Sequence, residues 1–307
     1  MSMRKAFVPI LLAYAIVSLA CVYIVLPEGY ETSNETSNGS TGWSAVVTNI
    51  GKSESGDLHI DISIRNETGE WSAMNAVDDK PALLSNNGKS INCDTTFVST
   101  GGHRLAPGFQ MRGYTAGTKT EPVKQLIYVE CAGADATPGS ILSIPYTYVT
   151  GQYNYYEQDK NKVEANLDIN LDEVITNLVY PIAEQIDGLI QQLDIEIVAI
   201  NKVTLTLTGV QRTESNLQFA WKTYNPGDYP TYVHIGNPPV IGDDGILYGF
   251  YQTPDIISVP ITPAGGTAEW TTEVLVPPNV KGFYILLSVE TGKARLFANY
   301  AIDITDK

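Results

Sequence analysis

The chain has 307 residues, with 19 Lys+Arg against 34 Asp+Glu and a formal net charge of −15. That balance excludes a nucleic-acid binder, whose phosphate contacts need a basic surface. Charged residues make up only 17% and hydrophobic residues 43%, which excludes intrinsic disorder, and the 18 Tyr, 26 Gly and 17 Pro favour strands and turns over helix bundles.

The first element is an apolar run. After Met1-Ser-Met-Arg-Lys5 come 21 residues, Ala6 to Leu26, without a charge. As a helix at about 1.5 Å per residue this run reaches about 31 Å, enough to cross a bilayer core. A cleavable secretory signal has an apolar core of about 7 to 15 residues followed by a small-x-small site; this run is longer. A lipoprotein reading needs cleavage before Cys21 in Ser18-Leu-Ala-Cys, and the sequence after Cys21 stays hydrophobic. An uncleaved signal anchor is a further reading of the same residues.

Lys5-Ala6-Phe7-Val8, a basic residue, a small residue and two apolar residues opening a hydrophobic helix, resembles the class III leader of archaeal type IV pilin-like proteins, which include archaellins and adhesion filaments. The resemblance covers some 30 residues and the helix-plus-sandwich plan. It implies a leader over residues 1–6, removed between Ala6 and Phe7 by a membrane peptidase, and a retained helix over 7–28. Removal of Arg4 and Lys5 takes the side-chain charge from −15 to −17. Pro9 becomes the third mature residue, in the first turn, where its missing N–H costs little. Ala6 stands where many archaellins carry Gly, and the glutamate that bacterial pilins place near the mature terminus is missing. On this resemblance the assembly residues are Phe7, Val8, Ile10, Leu11, Leu12, Ile16 and Leu19, and the partners are further copies of the chain, the leader peptidase, the pilus-type assembly machinery and, for the precursor, the membrane.

Residues 29–42 are rich in Ser, Thr, Asn and Gly without apolar periodicity and read as a linker. Asn34-Glu-Thr and Asn38-Gly-Ser within it, and Asn66-Glu-Thr beyond it, are glycosylation acceptor triplets.

From residue 43 to 307 the pattern is that of an antiparallel β ectodomain of the immunoglobulin-like sandwich kind. Leu58, Ile60, Ile62 and Ile64 alternate with His59, Asp61, Ser63 and Arg65, the signature of a half-buried strand. Further strands are predicted over 43–50, 126–131, 141–149, 203–207, 217–221, 256–261, 270–276, 283–289 and 295–304, separated by Gly, Pro, Asn and Asp clusters. One helix is predicted from Asn170-Leu-Asp-Glu173, which has the form of a capping box, through Val174, Ile175, Leu178, Val179, Ile182, Ile186, Leu189, Ile190 and Leu193 at spacings of 3 and 4. Pro181 kinks or divides it. A soft boundary between two sub-domains falls at 160–200, and no internal repeat is visible between the halves. Cys93 and Cys131, 38 positions apart, form a candidate disulfide in an exported chain; two separate buried thiols are the alternative, and Cys21 is left over.

Catalytic chemistry is hard to place. His59, His103 and His234 lack metal-ligand spacing, and the chain has no G-x-S-x-G, Walker-type, HExxH or G-x-G-x-x-G motif. No cofactor, metal or enzyme activity is expected. Asp78-Asp79 and Asp243-Asp-Gly245 are loose cation candidates, though Asp-Gly is also a turn signal. Tyr146, Tyr148, Tyr153, Tyr155 and Tyr156 crowd one segment and suggest a sugar-binding or adhesive surface. The expectation is a structural subunit of an extracellular filament at the cell surface, polymerising through its helix with the β-domain outside. The alternative is a membrane-anchored immunoglobulin-like binding or surface protein.

Overall fold

A computed structural model describes residues 42–95, 104–118, 121–150, 162–175, 191–200, 202–235, 240–249, 260–281, 283–291 and 296–303. The chain divides into two units, Met1–Asn34 and Glu35–Lys307, and every described residue belongs to the second.

The described residues are mainly strands. In chain order these are β1 (Trp43–Lys52), β2 (Leu58–Asn66), β3 (Ser72–Ala76), β4 (Ala82–Leu84), β5 (Ser90–Asn92), β6 (Asp94–Thr95), β7 (Gln110–Met111), β8 (Gly113–Gly117), β9 (Pro122–Leu126), β10 (Tyr128–Cys131), β11 (Ile141–Thr150) and β12 (Val163–Asn170). They continue with β13 (Gln191–Ile200), β14 (Val203–Arg212), β15 (Asn216–Tyr224), β16 (Val233–Ile235), β17 (Val240–Gly242), β18 (Ile246–Tyr248), β19 (Thr267–Leu275), β20 (Phe283–Thr291) and β21 (Leu296–Asp303). The alternation in β2 does what its period requires: Leu58, Ile60, Ile62 and Ile64 are all buried, because successive side chains of a strand face opposite ways.

The strands form four sheets. The first has the order β1-β2-β10-β6 with β7 also on β2, and the second β12-β11-β4-β5 with β3 also on β11. The third is β13-β14-β15-β19, and the fourth β16-β20-β17-β18-β8-β9 with β21 also on β20. Trp43, Ile60, Ile62 and Val129 of the first sheet share one core with Met74, Leu83, Leu142 and Tyr146 of the second. Leu205, Phe219, Trp221 and Val274 of the third share another with Val233, Val240, Ile246 and Ile285 of the fourth. Apart from Ile241 and Leu247, the first core draws on residues up to Leu171, and apart from the partly buried Leu126 the second begins at Val203.

These two halves repeat one topology. The β1–β2 hairpin corresponds to β14–β15, and β3, β4 and β5 correspond to β16, β17 and β18. The β11–β12 hairpin, with β3 and β4 on the free side of β11, corresponds to β20–β21 with β16 and β17 on the free side of β20. The repeat invisible in the sequence is therefore present in the fold. Its most detailed trace is a buried asparagine just after or at the end of the second strand. Asn66 accepts the Thr68 N–H at 3.0 Å and donates to the carbonyls of Glu70 and Leu105, each at 2.8 Å. Asn225 accepts the Gly227 N–H at 3.0 Å and donates to the Tyr229 carbonyl at 2.8 Å and, at 3.4 Å, to that of Thr262. Leu105 pairs with Ser72, and Thr262 with Thr231. Three residues further on in each case, Gly108 (φ 76°) and Gly265 (φ 62°) take the left-handed conformation of a turn that only glycine adopts freely.

The halves also differ: among the described strands the third sheet adds β13 beyond β14, the first adds β6 beyond β10, and the strand that follows on β2 or β15 is built differently. In the second, β19 runs unbroken along β15 from Thr267 to Leu275. In the first, the equivalent strand is split into β7 and β10, both antiparallel to β2, and the β8–β9 hairpin is inserted between them. That hairpin leaves its own core: β8 pairs in parallel with β18, Gly113 opposite Ile246 and Tyr114 opposite Leu247. It thereby extends the fourth sheet, and Leu126 packs against the second core while Ile241 and Leu247 of the second half pack into the first.

The helix predicted from Asn170 is absent at both described ends. Asn170 closes β12, and its side chain accepts the Asp172 N–H at 3.0 Å. An Asx turn and a helix cap use the same short acceptor, so the tripeptide pattern suits either. Val174 then bridges Val47 of β1 and the Ile175 N–H donates to the Val47 carbonyl at 2.8 Å. Residues 176–190 lie outside the described residues, and Leu193 is in β13, where Leu193, Ile195 and Ile197 alternate with period two.

The paired asparagines give a direct test. Asn66→Ala and Asn225→Ala each leave buried carbonyls without a donor, and each is expected to lower the unfolding free energy by about 2–4 kcal/mol, measured by chemical denaturation.

Candidate functional site

The leader residues Lys5, Ala6 and Phe7, the assembly residues Phe7 to Leu19, Cys21, Asn34, Asn38 and His103 lie outside the described residues, as do Tyr153, Tyr155 and Tyr156. Asn66, by contrast, is fully buried, with its amide nitrogen donating to two carbonyls. A glycan on that nitrogen would displace these bonds and meet the core, and in the folded chain Asn66 serves as a structural asparagine. Thr68, the third residue of the triplet, explains the coincidence: its hydroxyl donates to Asn66 Oδ1 at 2.8 Å and completes the turn.

Cys93 and Cys131 are joined by a disulfide. Cys93 follows β5 of the second sheet, and its N–H donates to the Pro81 carbonyl beside β4; Cys131 ends β10 of the first sheet. The bond thus ties the two layers together within the first core. The second half has no counterpart, since Cys21 is the one other cysteine of the chain. Reduction, or the double variant Cys93→Ala/Cys131→Ala, is expected to lower stability by about 3–4 kcal/mol, the loop-closure value for a span of this length, as read from the shift of the denaturation midpoint.

Asp243-Asp244-Gly245 forms the turn between β17 and β18, closed by a hydrogen bond from the Gly245 N–H to the Gly242 carbonyl at 2.9 Å. Asp244 accepts from the Tyr248 hydroxyl at 2.8 Å and Lys124 Nζ at 3.0 Å, and its carbonyl accepts from Arg112 Nε at 2.6 Å. Burial, followed by the Asp244 charge, pushes the Tyr248 phenol far above its ordinary value, so it remains a donor. Arg112 immediately precedes β8 and Lys124 lies in β9, which makes this turn the polar half of the junction between the two cores. Asp78 and Asp79 are exposed in the bend after β3. Among the described residues no group of three or more His, Cys, Asp or Glu is arranged to hold a metal ion.

His59 stands on the outer face of the first sheet between two carboxylates. Nδ1 lies 3.0 Å from Glu130 Oε1 and Nε2 2.9 Å from Asp61 Oδ1, and Asn49 Nδ2 donates to the other Asp61 oxygen at 3.0 Å. The ring lies 4.6 Å, centroid to centroid, from that of Tyr128. Burial opposes protonation, but the hydrogen bonds to Glu130 and Asp61 outweigh it and raise the His59 pKa above its ordinary 6.5. Only the imidazolium donates from both nitrogens. A raised folded-state pKa adds stability that is fully present below the unfolded value and is lost as pH rises through the folded one. Stability is accordingly expected to fall across that interval above pH 6.5 in the wild type and to fall less in His59→Gln, as measured by denaturation at stepped pH.

The tyrosine surface expected near residue 150 is not found where it is described: Tyr146 and Tyr148 are 1% and 7% exposed and pack into the first core. Exposed tyrosines occur elsewhere. Tyr229 is 82% exposed, Tyr224 45% and Tyr232 43%, and Ile261 beside them is 69% exposed. Tyr224 ends β15, Tyr229 and Tyr232 lie on the segment that crosses from the third sheet to the fourth, and Ile261 adjoins Thr262 on the segment that leads back into β19. Sequence reading passed over them because they are spread singly among prolines and glycines rather than crowded together.

No family model matches the chain, and no curated protein matches it. Among solved structures, similarity is found to the E. coli chaperone DraB, at 11% identity, over 81% of this chain and 90% of that one, with a TM-score of 0.18. Similarity is also found to red sea bream transglutaminase, at 9% identity over 86% of this chain and 31% of that one, with a TM-score of 0.19. Neither likeness is close enough to carry an argument about this chain.

Proposed function

We propose that this chain is a structural subunit of an extracellular filament of the archaeal type IV pilin-like kind. It polymerises through the N-terminal apolar helix, with the two β-sandwiches, read as immunoglobulin-like, forming the outer surface. The carrying observation is Lys5-Ala6-Phe7-Val8 placed directly before a 21-residue uncharged run and a Ser/Thr/Asn-rich linker. The disulfide supports an oxidising, extracellular destination for the β region. Leader peptidase acts first, while the precursor sits in the cytoplasmic membrane. Sugars on Asn34 and Asn38 then shield the linker. Burial of the helix against copies of itself contributes roughly 1.5–3 kcal/mol of gross hydrophobic energy per large side chain, part of it offset by ordering on association. Head-to-tail contacts that do not close give a helical polymer.

Processing and assembly are testable together. Peptide mapping of surface material is expected to find a mature terminus at Phe7; an intact Met1 or Ser2 terminus would establish the membrane-anchored alternative instead. Leu12→Asp places an unpaired charge in the helix bundle at a cost of several kcal/mol per subunit. Cells producing that variant are expected to show no filaments by electron microscopy, and normal filaments would sink the helix-assembly reading.

A further inference from the structure

The matched strands of the two repeats carry different chemistry on the outer faces of the first and third sheets. Asn66 and Asn225 align β2 with β15, so that His59 corresponds to Gln218 and Asp61 to Ala220. Cross-strand pairs carry the match outward. Asn49 opposite Asp61 corresponds to Gly209 opposite Ala220, and Glu130 opposite His59 to Glu273 opposite Gln218. Of these four residues the second repeat keeps the glutamate alone. The same scaffold therefore folds without the histidine, the aspartate and the asparagine, and the sandwich does not require their gathering in the first repeat.

His59 and Asp61 stand two residues apart on β2 and so face the same way, with Nε2 2.9 Å from Asp61 Oδ1. Bonds from an imidazole nitrogen or a carboxylate oxygen to a divalent metal run about 2.0–2.2 Å, so two such ligands at a right angle stand about 3.0 Å apart. The observed separation suits that edge of a coordination shell after a small tilt of either side chain. Asn49 reaches the other Asp61 oxygen at 3.0 Å, and its amide, turned over, presents an oxygen there instead of a nitrogen. On the far side of the ring Nδ1 lies 3.0 Å from Glu130 Oε1. A histidine that ligates through one nitrogen gives its other N–H to such a carboxylate, which fixes the tautomer and strengthens the ligand. The Tyr128 ring, 4.6 Å from that of His59 between centroids, limits the swing of the imidazole. Approach is open on the β1 side. The residue opposite His59 there is Gly51, where a β-carbon would meet no heavy atom within 4 Å beyond its chain neighbours.

Charge and ligand type select the ion. Asp61 and Glu130 flank the ring and Asp94 stands opposite Glu130 on the same face, in a chain of net charge −15, a field that gathers cations. Lys80 is bound to Asp94 at 2.6 Å, at the rim of this group. Three ionisable ligands do not converge here: His59 and Asp61 supply two, and the Asn49 amide and water complete the shell. An imidazole nitrogen with carboxylate and amide oxygens is a borderline set. It suits copper(II), nickel(II) and zinc, with copper(II) held tightest by the ordinary order of stabilities, and it does not suit magnesium or calcium, which take oxygen alone. The ion takes the place of the Nε2 proton, while Nδ1–H stays on Glu130.

We propose that His59 and Asp61, with Asn49 beside them and Glu130 behind the imidazole, form a binding site for one divalent ion of the copper, nickel and zinc group, copper(II) most tightly. The inference stands on the first sheet alone and goes beyond the filament reading. The full-length protein, held in a polyoxyethylene detergent and stripped of metal with a chelator, is titrated with copper(II) and with zinc in a non-coordinating buffer. Binding is read by calorimetry, and the copper-loaded protein by electron paramagnetic resonance. One copper ion per chain that depends on His59 is expected, with the signature of a single imidazole nitrogen and tighter binding than zinc. His59→Gln is expected to abolish it. Glu130→Gln, which keeps every ligand, is expected to weaken it about tenfold, the effect of removing a carboxylate behind a ligating histidine, and Asp61→Asn to weaken it at least as much. His103→Gln/His234→Gln is expected to leave it unchanged. A cooperative denaturation transition of each variant without metal separates lost binding from lost folding. Absence of copper binding to the wild type overturns the proposal, as does binding that survives His59→Gln in full or is lost with His103→Gln/His234→Gln. Binding unchanged by both Asp61→Asn and Glu130→Gln overturns it too. The test reads an ion on the β region, so none of these failures touches the filament reading.

Discussion

Each half of the β region depends on one buried carboxamide. Where a chain leaves one sheet and enters the sheet facing it, a short stretch of backbone runs without a ladder partner, and burial of its N–H and C=O groups is costly unless each finds a bond. Asn66 and Asn225 meet this demand with the same side-chain groups, one oxygen accepting from two residues ahead and one nitrogen donating to four residues ahead and to a distant crossing strand. The shape of the loop follows from these bonds.

Alternating hydrophobicity made much of the fold legible. The strands read at 43–50, 58–65, 141–149, 217–221 and 270–276 coincide with β1, β2, β11, β15 and β19 to within a few residues, because a half-buried strand must alternate. The duplication was not legible for the same reason: alternation is degenerate, and the matched positions Asn66/Asn225, Ser72/Thr231 and Gly108/Gly265 are too few to register as a repeat. The β8–β9 insertion also breaks the spacing by splitting the strand that β19 keeps whole. At Asn170 to Ile175 the expected helix start is a turn, because a lone Asx acceptor begins either a turn or a helix and here Val174 pairs with Val47.

Local chemical patterns misled where burial had the last word. Asn66-Glu-Thr68 reads as a glycosylation triplet, yet its Thr hydroxyl bonds the very asparagine that a transferase would need free. Tyr146 and Tyr148 read as part of a sticky surface but fill a core between sheets, whereas Tyr229, isolated in sequence, is the most exposed of the large hydrophobic side chains described. Which tyrosines meet solvent depends on which sheet ends lie open, and that is a property of topology rather than of composition.

The inserted hairpin has a mechanical consequence. Two cores joined by a single stretch of chain swing about that joint. Here the first half also reaches over and adds two strands to the sheet of the second, with Arg112 and Lys124 bound to the Asp244 turn at its root. Bending at the joint would have to tear the β8–β18 ladder and expose Leu126, Ile241 and Leu247 to water. Bending between the two cores is therefore opposed by a strand ladder and by buried side chains as well as by the connecting chain.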